Sequence, residues 1–282
     1  MSAFSDSNFK SSNYSSFRPS YDESLFKYIA TEYHKGEYDL ALDLGSGTGQ
    51  ATYPLTKYFK KVIGTDLSST MIATANSKIT EEFKDKIEFK VSPAEESPFL
   101  PDQSVDLITA AQCAHWFNHP KFFQEVDRIL KPNGTLAIWG YIDPVFNIEE
   151  IDNFALEFMY GDKYLGPYWE NPGRLILRKK FKDVIPPSNI FEDEVVFEHD
   201  PRLQNKAGSS PLIIKKTLPF ETYFNYTKTW SSYHSWKKQN PDKEEIADWY
   251  YKKLQSKTGW TPQTIVNYEF ITILKLVRKI KR

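Results

Sequence analysis

The chain has 282 residues, enough for one large domain or for one domain with a sizeable insertion. It carries 36 basic against 37 acidic residues, so no strong overall field favours nucleic acid or an anionic membrane. The single cysteine, Cys113, excludes an internal disulfide and a thiolate metal cluster.

Strands and helices alternate in the first half of the chain. Helical spacing of apolar residues predicts a helix over 22–33, and Ser68 or Ser69 can cap a short helix containing Met71. The other elements predicted here are strands at 39–44, 61–66, 87–91, 105–110 and 135–141, and helices at 48–58 and 120–130. This alternation indicates right-handed crossovers and a mostly parallel sheet, whose ligands bind beyond the carboxyl ends of the strands.

The alternation stops after Pro144. Helices and loops are expected over 146–181, and the segments that follow are a strand near 191–197, a helix starting near Thr217, a helix over 243–256 and a long strand over 264–276. The basic residues at the end are interpreted as a solvated tip: Lys275, Arg278, Lys279, Lys281 and Arg282.

The segment 43–51, DLGSGTGQA, joins the first strand to the next helix. Its glycines allow close approach of the backbone to a ligand, and Asp66, at the end of the second strand, can accept bonds from ribose hydroxyls. The spacing is G-x-G-x-G, with Asp43 two residues before the first glycine. A carboxylate there suits an ammonium group better than a diphosphate. The ligand should therefore carry an amino-acid end and a ribose end, as S-adenosyl-L-methionine (SAM) does.

These residues resemble the first motif of the class I SAM-dependent methyltransferases. The resemblance implies an α/β, Rossmann-like fold with a mostly parallel seven-stranded sheet, helices on both faces and a helical cap insertion. The implied organisation is one integrated domain: a lid segment and first helix at 1–36, the SAM-binding core at 37–145, and the cap with the last two strands at 146–282. Carried over by position, the residues that contact SAM are Tyr14, Asp43, Gly45, Gly47, Gly49, Asp66, Leu67, Ala94, Glu95, Ala111 and Gln112.

A narrower resemblance, to the fungal trans-aconitate methyltransferase group, rests on segments spread over nearly the whole chain. They are 14–21 (YSSFRPSY), 113–117 (CAHWF), 138–144 (IWGYIDP), 165–174 (LGPYWENPGR) and 229–236 (TWSSYHSW). The resemblance implies methyl transfer to a carboxylate of a small acid, with S-adenosyl-L-homocysteine as the second product. It places His115, Trp116 and Tyr141 near the reacting methyl group. The implied substrate contacts are Arg18, Tyr21, Trp139, Tyr168 and Arg174.

The sequence leaves open which kind of group accepts the methyl group. A carboxylate is already ionised and needs no general base, whereas with a hydroxyl acceptor on a hydrophobic metabolite or toxin His115 would be the leading base. A SAM-binding regulator without turnover is the non-enzymatic alternative, and RNA or protein methylation is a weaker one. The five histidines lack metal-ligand spacing, so no metal is expected. We expect a cytoplasmic monomer that acts on a small carboxylic acid, without nucleic-acid or membrane partners.

Overall fold

The structure is a computed structural model that describes residues 18–203 and 210–281. Tyr14, expected at the cofactor, lies outside the described residues. Within the described ranges, no helix is both long and apolar enough to cross a membrane.

One mixed sheet organises the described chain. Its strands are β1 (Leu40–Leu44), β2 (Lys61–Asp66), β3 (Ile87–Val91), β4 (Val105–Ala111), β5 (Leu130–Val145), β6 (Phe191–His199), β7 (Lys215–Pro219) and β8 (Ile265–Lys279). Their order is β3-β2-β1-β4-β5-β8-β6, and β7 also pairs with β8. The first five strands run parallel, whereas β8 is antiparallel to β5, β6 and β7.

The sheet is seven positions wide, although it has eight strands. Glu269 of β8 pairs with Val145 of β5 on one side and with Lys215 of β7 on the other. Strands β6 and β7 therefore lie end to end along the same outer edge of β8. The predicted Rossmann-like α/β fold is confirmed, and so are the five strands predicted between residues 39 and 141.

Helices cover both faces of this sheet. The first, α1, begins at Glu23–Lys27 and continues as a π-helical segment, Tyr28–Tyr33. The others are α2 (Thr52–Leu55), α3 (Ser69–Asn76), α4 (His119–Ile129), α5 (Glu149–Tyr160), α6 (Gly173–Arg178), α7 (Phe220–Thr227), α8 (Ser231–Gln239) and α9 (Ile246–Thr258). Short 3-10 turns lie at Ala114–Trp116 and Gly166–Tyr168. Ser68, one of the two residues predicted to cap the N-terminus of α3, is the N-cap residue, and its hydroxyl oxygen accepts a bond from the Met71 amide at 3.3 Å.

Two predicted helices have different bounds. The helix expected over 48–58 is reduced to α2, because Gly49 has a φ of +91° and Pro54 has no N–H for the carbonyl of Gln50. The helix expected from Thr217 begins three residues later, at Phe220. Residues 215–219 instead pair with β8, and Pro219, with an extended backbone, separates strand from helix.

The core forms two large apolar clusters, one on each face of the sheet. Neighbouring strand residues alternate between them: Ala41 and Trp139 face the cluster of α1 and the cap, and Leu42 and Ile138 face the cluster of α4. The interpretation of the basic end as a solvated tip is wrong for Lys275 and Lys279, which are buried; Lys281 is exposed, and Arg282 lies outside the described residues. The Lys275 ammonium is buried and donates to the Val184 carbonyl at 2.8 Å, since carbonyls left free at chain turns need a donor.

Candidate functional site

The glycine loop follows β1 and contains three glycines with positive φ. At Gly45, a side-chain Cβ would lie 2.6 Å from Cβ of Cys113, so packing excludes any larger residue. At Gly47, with φ of +54°, the nearest heavy atom is Oε1 of Gln50 at 4.0 Å. Gly47 is therefore required for its backbone conformation, and its Cα faces open space where a ligand can approach.

Asp66 fixes this loop from the end of β2. Its Oδ2 accepts a bond from the Gly47 amide at 3.0 Å, and its Oδ1 accepts one from the Ser68 amide at 2.8 Å. Burial raises the pKa of this carboxyl, against the lowering effect of the two amides. The side chain is only partly buried, so its oxygens keep lone pairs that can receive ribose hydroxyls.

Asp43 occupies a different environment, with no exposed surface. Its carboxylate accepts bonds from the Thr52 hydroxyl at 2.6 Å and the Thr109 hydroxyl at 2.8 Å, which joins β1 to α2 and β4. Burial raises the pKa of Asp43 to about 6, and the nearby Asp66 charge adds to that effect. The expected contact of Asp43 with the ammonium group of SAM stays a prediction.

Two small cavities meet beside the loop. The glycine-loop cavity, of about 40 Å³, is lined by the loop, by Tyr21 and by Ala111. The cap cavity, of about 30 Å³, is lined by residues of β5 and the cap, including Met159, Trp169, Arg174, Tyr226 and Trp230. Each has room for about one or two waters, so a nucleoside-sized ligand requires the site to open.

Both cavities share three lining residues, Arg18, Gln112 and Tyr141. Arg18 connects the two halves of the fold, because its Nη1 donates to the Tyr141 hydroxyl at 3.1 Å and its Nη2 donates to the Thr229 carbonyl at 2.8 Å. A ligand that extends from the glycine-loop cavity into the cap cavity would pass beside these three residues.

Arg174 is the second guanidinium of the cap cavity. Its side chain is 11% exposed, and Nη2 donates to Oδ1 of Asp143 at 2.7 Å and to the Tyr160 hydroxyl. The guanidinium carbon lies 4.2 Å from the centroid of the Trp169 ring. Among the described residues, Nε of Arg174 is buried with no hydrogen-bond partner. A buried donor of this kind is costly unless a ligand satisfies it.

His115 and Trp116 line neither cavity. The His115 imidazole is buried and packs against the Trp116 ring, with centroids 4.7 Å apart. Burial, assisted by the charges of Arg174 and Arg18, lowers the pKa of His115 to about 3. Trp116 also packs on Gly173, where an added Cβ would lie 2.6 Å from the indole. The imidazole is therefore neutral at physiological pH and removed from the shared wall of the two cavities.

Two expected substrate contacts also lie away from the cavities. Trp139 has no exposed surface and is enclosed by the rings of Tyr21 and Phe26, with centroid distances of 5.5 and 6.2 Å. Tyr168 turns its hydroxyl to Asn240, whose Nδ2 donates to it at 3.2 Å. Trp139 shares a face of β5 with Tyr141 but lies two residues farther from the carboxyl end of the strand, where Tyr21 and Phe26 cover it, and its expected contact with the substrate stays a prediction.

The residues expected around adenine lie at the ends of β2 and β3. Leu67 is 69% exposed, and Val91, which pairs with Asp66 in the sheet, is 55% exposed. Ala94 is buried, while Oε1 of Glu95 accepts a bond from the Asn118 amide at 2.7 Å. Leu67 and Val91 thus leave apolar surface beside Asp66, the residue expected to bind ribose, and Val91 was not among the residues predicted for this site although it lies at a strand end.

The cap contributes residues that the sequence analysis did not assign to the site. Met159, Trp169, Tyr226 and Trp230 line the cap cavity. Trp169 and Trp230 fall in the segments 165–174 and 229–236 that carry the narrower resemblance, whereas Met159 and Tyr226 lie on α5 and α7, outside those segments. Only their proximity to Arg18 and Arg174 in the fold identifies them.

Comparisons with known proteins agree with this geometry. Residues 42–138 match the family model described as a methyltransferase domain. The chain is 34% identical over 263 residues to CRG1 of Saccharomyces cerevisiae, described as a probable S-adenosylmethionine-dependent methyltransferase, covering 90% of this chain and 89% of that protein. A methyltransferase-like protein of Dictyostelium discoideum is 34% identical over 272 residues, 94% of this chain and 92% of the relative.

The fold is also found among solved structures. A structure from Anaeromyxobacter dehalogenans, described as a candidate type II methyltransferase, superposes with a TM-score of 0.73 at 24% identity, covering 94% of this chain and all of that one. The chain belongs to the SAM-dependent methyltransferase family. Its site fits that cofactor, because Gly47 leaves an open backbone face and Asp66 presents acceptors at the end of β2.

Proposed function

We propose that this methyltransferase esterifies a carboxylate of a small organic acid with more than one carboxylate, of which trans-aconitate is an example. When bound, SAM supplies a methyl group on a positively charged sulfur, and a carboxylate oxygen can displace that sulfur without losing a proton. The products would be the monomethyl ester and S-adenosyl-L-homocysteine.

The lining of the cap cavity carries this proposal. It combines two guanidiniums, Arg18 and Arg174, with apolar and aromatic side chains. Among the described residues of that lining there is no carboxylate, imidazole, thiol or lysine that could act as a general base. A hydroxyl acceptor needs such a base in the transition state, whereas a carboxylate is ionised at neutral pH.

The side chains of the site would act by binding and orientation. Arginine binds carboxylates through two parallel hydrogen bonds, which fixes the direction of the attacking oxygen as well as its position. Arg18 and Tyr141 lie where the two cavities meet and would hold the reacting carboxylate there. Arg174, farther into the cap with a buried unpaired Nε, would hold a second carboxylate. The surrounding aromatic rings exclude water and strengthen both interactions.

A methyl-transfer assay tests the proposal. The purified protein is incubated with methyl-labelled SAM and a panel of mono-, di- and tricarboxylic acids and hydroxylated metabolites, and the product is treated with mild base. We expect base-labile label on a polycarboxylic acid. Base-stable label would contradict the carboxylate assignment, and SAM binding without transfer to any member of the panel or to a metabolite extract would favour a regulator.

Substitution of Arg174 provides the matched test. Arg174→Gln should raise KM for the acid by about tenfold or more and leave SAM affinity within about threefold, since it removes a charged hydrogen-bond donor from the acceptor side. Arg128→Gln is the control, because Arg128 is ion-paired to Glu125 on α4 and lines neither cavity. Equal KM in Arg174→Gln and wild type would remove Arg174 from the acceptor site.

A further inference from the structure

Tyr160 is the last residue of α5 and bonds to Arg174 without lining either cavity. The next residue has an extended backbone, and the chain returns through the short turn Gly166–Tyr168. This turn brings the Trp169 ring to the Tyr160 ring, with centroids 5.9 Å apart and planes 28° apart. The Trp169 indole N–H donates to the Met159 carbonyl at 2.6 Å, so the end of α5 fixes both rings.

The Tyr160 hydroxyl joins Arg174 to a buried carboxylate. It accepts a bond from Nη2 of Arg174 and donates to Oδ1 of Asp143 at 2.5 Å. Asp143 is 4% exposed, and the same Oδ1 accepts a bond from Nη2 of Arg174 at 2.7 Å. Burial raises the pKa of Tyr160, so the hydroxyl keeps the proton that it donates to Asp143 at physiological pH. The hydroxyl and the carboxylate thus hold one nitrogen of the guanidinium together.

These contacts fix the direction of the Arg174 side chain. Hydrogen bonds hold Nη2, and the guanidinium carbon lies 4.2 Å from the centroid of the Trp169 ring, which limits rotation of the guanidinium plane. Nε has no hydrogen-bond partner within the described ranges, and the residue lines the cap cavity. A mobile arginine loses side-chain entropy when it binds an anion, whereas an ordered one loses little and binds more tightly.

Tyr160 contributes no charge to this network. Asp143 is charged, and its Oδ2 also lies 3.9 Å from Nε of Arg178, so its removal would change the local field as well as the position of the guanidinium. Phe in place of Tyr160 keeps the ring that packs on Trp169 and on Arg178, whose guanidinium carbon is 3.6 Å from the centroid. Loss of the hydroxyl therefore changes only the hydrogen bonds that orient Arg174.

We propose that Tyr160 is a positioning residue for the acceptor: its hydroxyl holds Arg174 so that Nε is available to a carboxylate in the cap cavity. The inference rests on the proposed function, in which Arg174 binds a carboxylate of the acceptor. Tyr160 acts through Arg174 and touches no reactant, so its effect on acceptor binding exists only while the guanidinium is present. A residue that merely supported the fold of the cap would weaken binding with or without Arg174.

Calorimetric titration measures this dependence. The full chain, saturated with S-adenosyl-L-homocysteine, is titrated with trans-aconitate, glutarate and propane-1,2,3-tricarboxylate, and the acid that binds wild type most tightly is followed. Tyr160→Phe should raise its Kd by about fivefold, since a hydrogen bond to a charged group is lost. In the Arg174→Gln background, the same substitution should change Kd by less than about twofold, because two residues that act through one contact are not additive.

Tyr223→Phe is the matched control. It also removes a buried hydroxyl from the cap, one that bonds to the Tyr250 hydroxyl at 3.1 Å, and Tyr223 lines neither cavity. Its Kd should match wild type. In turnover, Tyr160→Phe should raise KM for the acid by the same factor as Kd and leave kcat and SAM affinity within about threefold. Partial unfolding would instead lower kcat and leave KM unchanged.

The outcomes separate this inference from the proposed function. A Kd in Tyr160→Phe within twofold of wild type, an equal rise in Tyr223→Phe, or an undiminished rise in the Arg174→Gln background would overturn the inference alone. A wild-type Kd in Arg174→Gln would overturn the role of Arg174 in the proposed function together with the inference. Wild-type protein that binds none of the three acids would overturn the proposed function itself.

Discussion

The side-chain amide of Gln112 binds the backbone of Tyr141 through both of its polar groups. Nε2 donates to the Tyr141 carbonyl at 2.9 Å, and Oε1 accepts from the Tyr141 amide at 2.7 Å. The backbone N–H of Gln112 also donates to the Trp139 carbonyl at 2.8 Å. The backbone of Gln112 has a φ of +59°, which is uncommon for residues other than glycine. Gln112 thus continues the pairing of β4 with β5 by means of its side chain, at the wall that both cavities share.

Replacement of Gln112 by Gly should lower kcat for the acceptor by about tenfold or more while SAM affinity stays within about threefold. Glycine accepts the positive φ, but it cannot hold Tyr141, so the reacting groups lose alignment more than affinity. Global stability should change little, because relief of backbone strain offsets the two lost hydrogen bonds, each worth about 1 kcal/mol. The measurements are steady-state kinetics, calorimetric SAM binding and thermal unfolding.

Asn133→Gly is the control for that prediction, since Asn133 also has a positive φ, +62°, and lies away from both cavities. It reports the stability effect of strain relief alone. A wild-type kcat in Gln112→Gly would show that only the turn conformation matters at this position.

Gly259, which lies outside the glycine loop, is a matched control for Gly47 within it. Both have positive φ, +54° at Gly47 and +72° at Gly259, and a Cβ at Gly259 would meet no atom within 4 Å. Alanine at either position should cost stability by about 1 kcal/mol from backbone strain. Only Gly47→Ala should also weaken SAM binding, by about tenfold or more, because its Cβ would project toward the ligand. Equal SAM affinity in both variants would place the cofactor elsewhere.

Asp43 should make stability depend on pH. Its folded pKa of about 6 exceeds the usual value of 3.8, so the native state holds a proton that the unfolded chain releases, and stability falls as pH rises from about 4 to 6. Asp43→Asn removes this pH-dependent loss of stability, and its side-chain oxygen can still accept a hydrogen bond from one of the two threonine hydroxyls. The variant should gain at most about 3 kcal/mol in unfolding free energy relative to wild type above pH 6, and nothing near pH 4.

Denaturant unfolding across this pH range checks the Asp43 prediction. The difference between the two proteins isolates Asp43, because His115, whose lowered pKa acts in the opposite direction, contributes equally to both. A pH-independent difference would mean that Asp43 is ionised in the fold throughout. Calorimetric SAM binding by the same variant measures whether the carboxylate charge also attracts the ammonium group.

The pH profile of activity reports on His115. Because its pKa is lowered to about 3 and a carboxylate acceptor needs no base, we expect kcat/KM to be flat between about pH 7 and 9, above the range in which Asp43 titrates. His115→Asn should keep the flat profile, whatever its effect on packing. An acidic limb near neutral pH that disappears in His115→Asn would instead identify His115 as a general base and favour a hydroxyl acceptor.

Sequence alone predicted the fold well where local patterns determine it. The glycine loop, Asp66 and the five parallel strands follow from residue type and spacing, since strand ends in a parallel sheet converge regardless of separation in the chain. The cap could not be predicted in this way. Trp139 and Tyr141 share one face of β5, yet Tyr21 and Phe26 cover Trp139 whereas the Tyr141 hydroxyl accepts a bond from Arg18, and these partners are more than a hundred residues away in the chain.

The position of β8 in the sheet has a consequence for biosynthesis. Because β8 lies between β5 and the strands β6 and β7, the outer edge of β5 has no partner in the sheet until residues 265–279 have left the ribosome. The cofactor-binding half of the sheet can form long before that, with one edge exposed to pairing with other nascent chains. Insertion of this single strand closes the edge of β5 and joins β6 and β7 to the sheet.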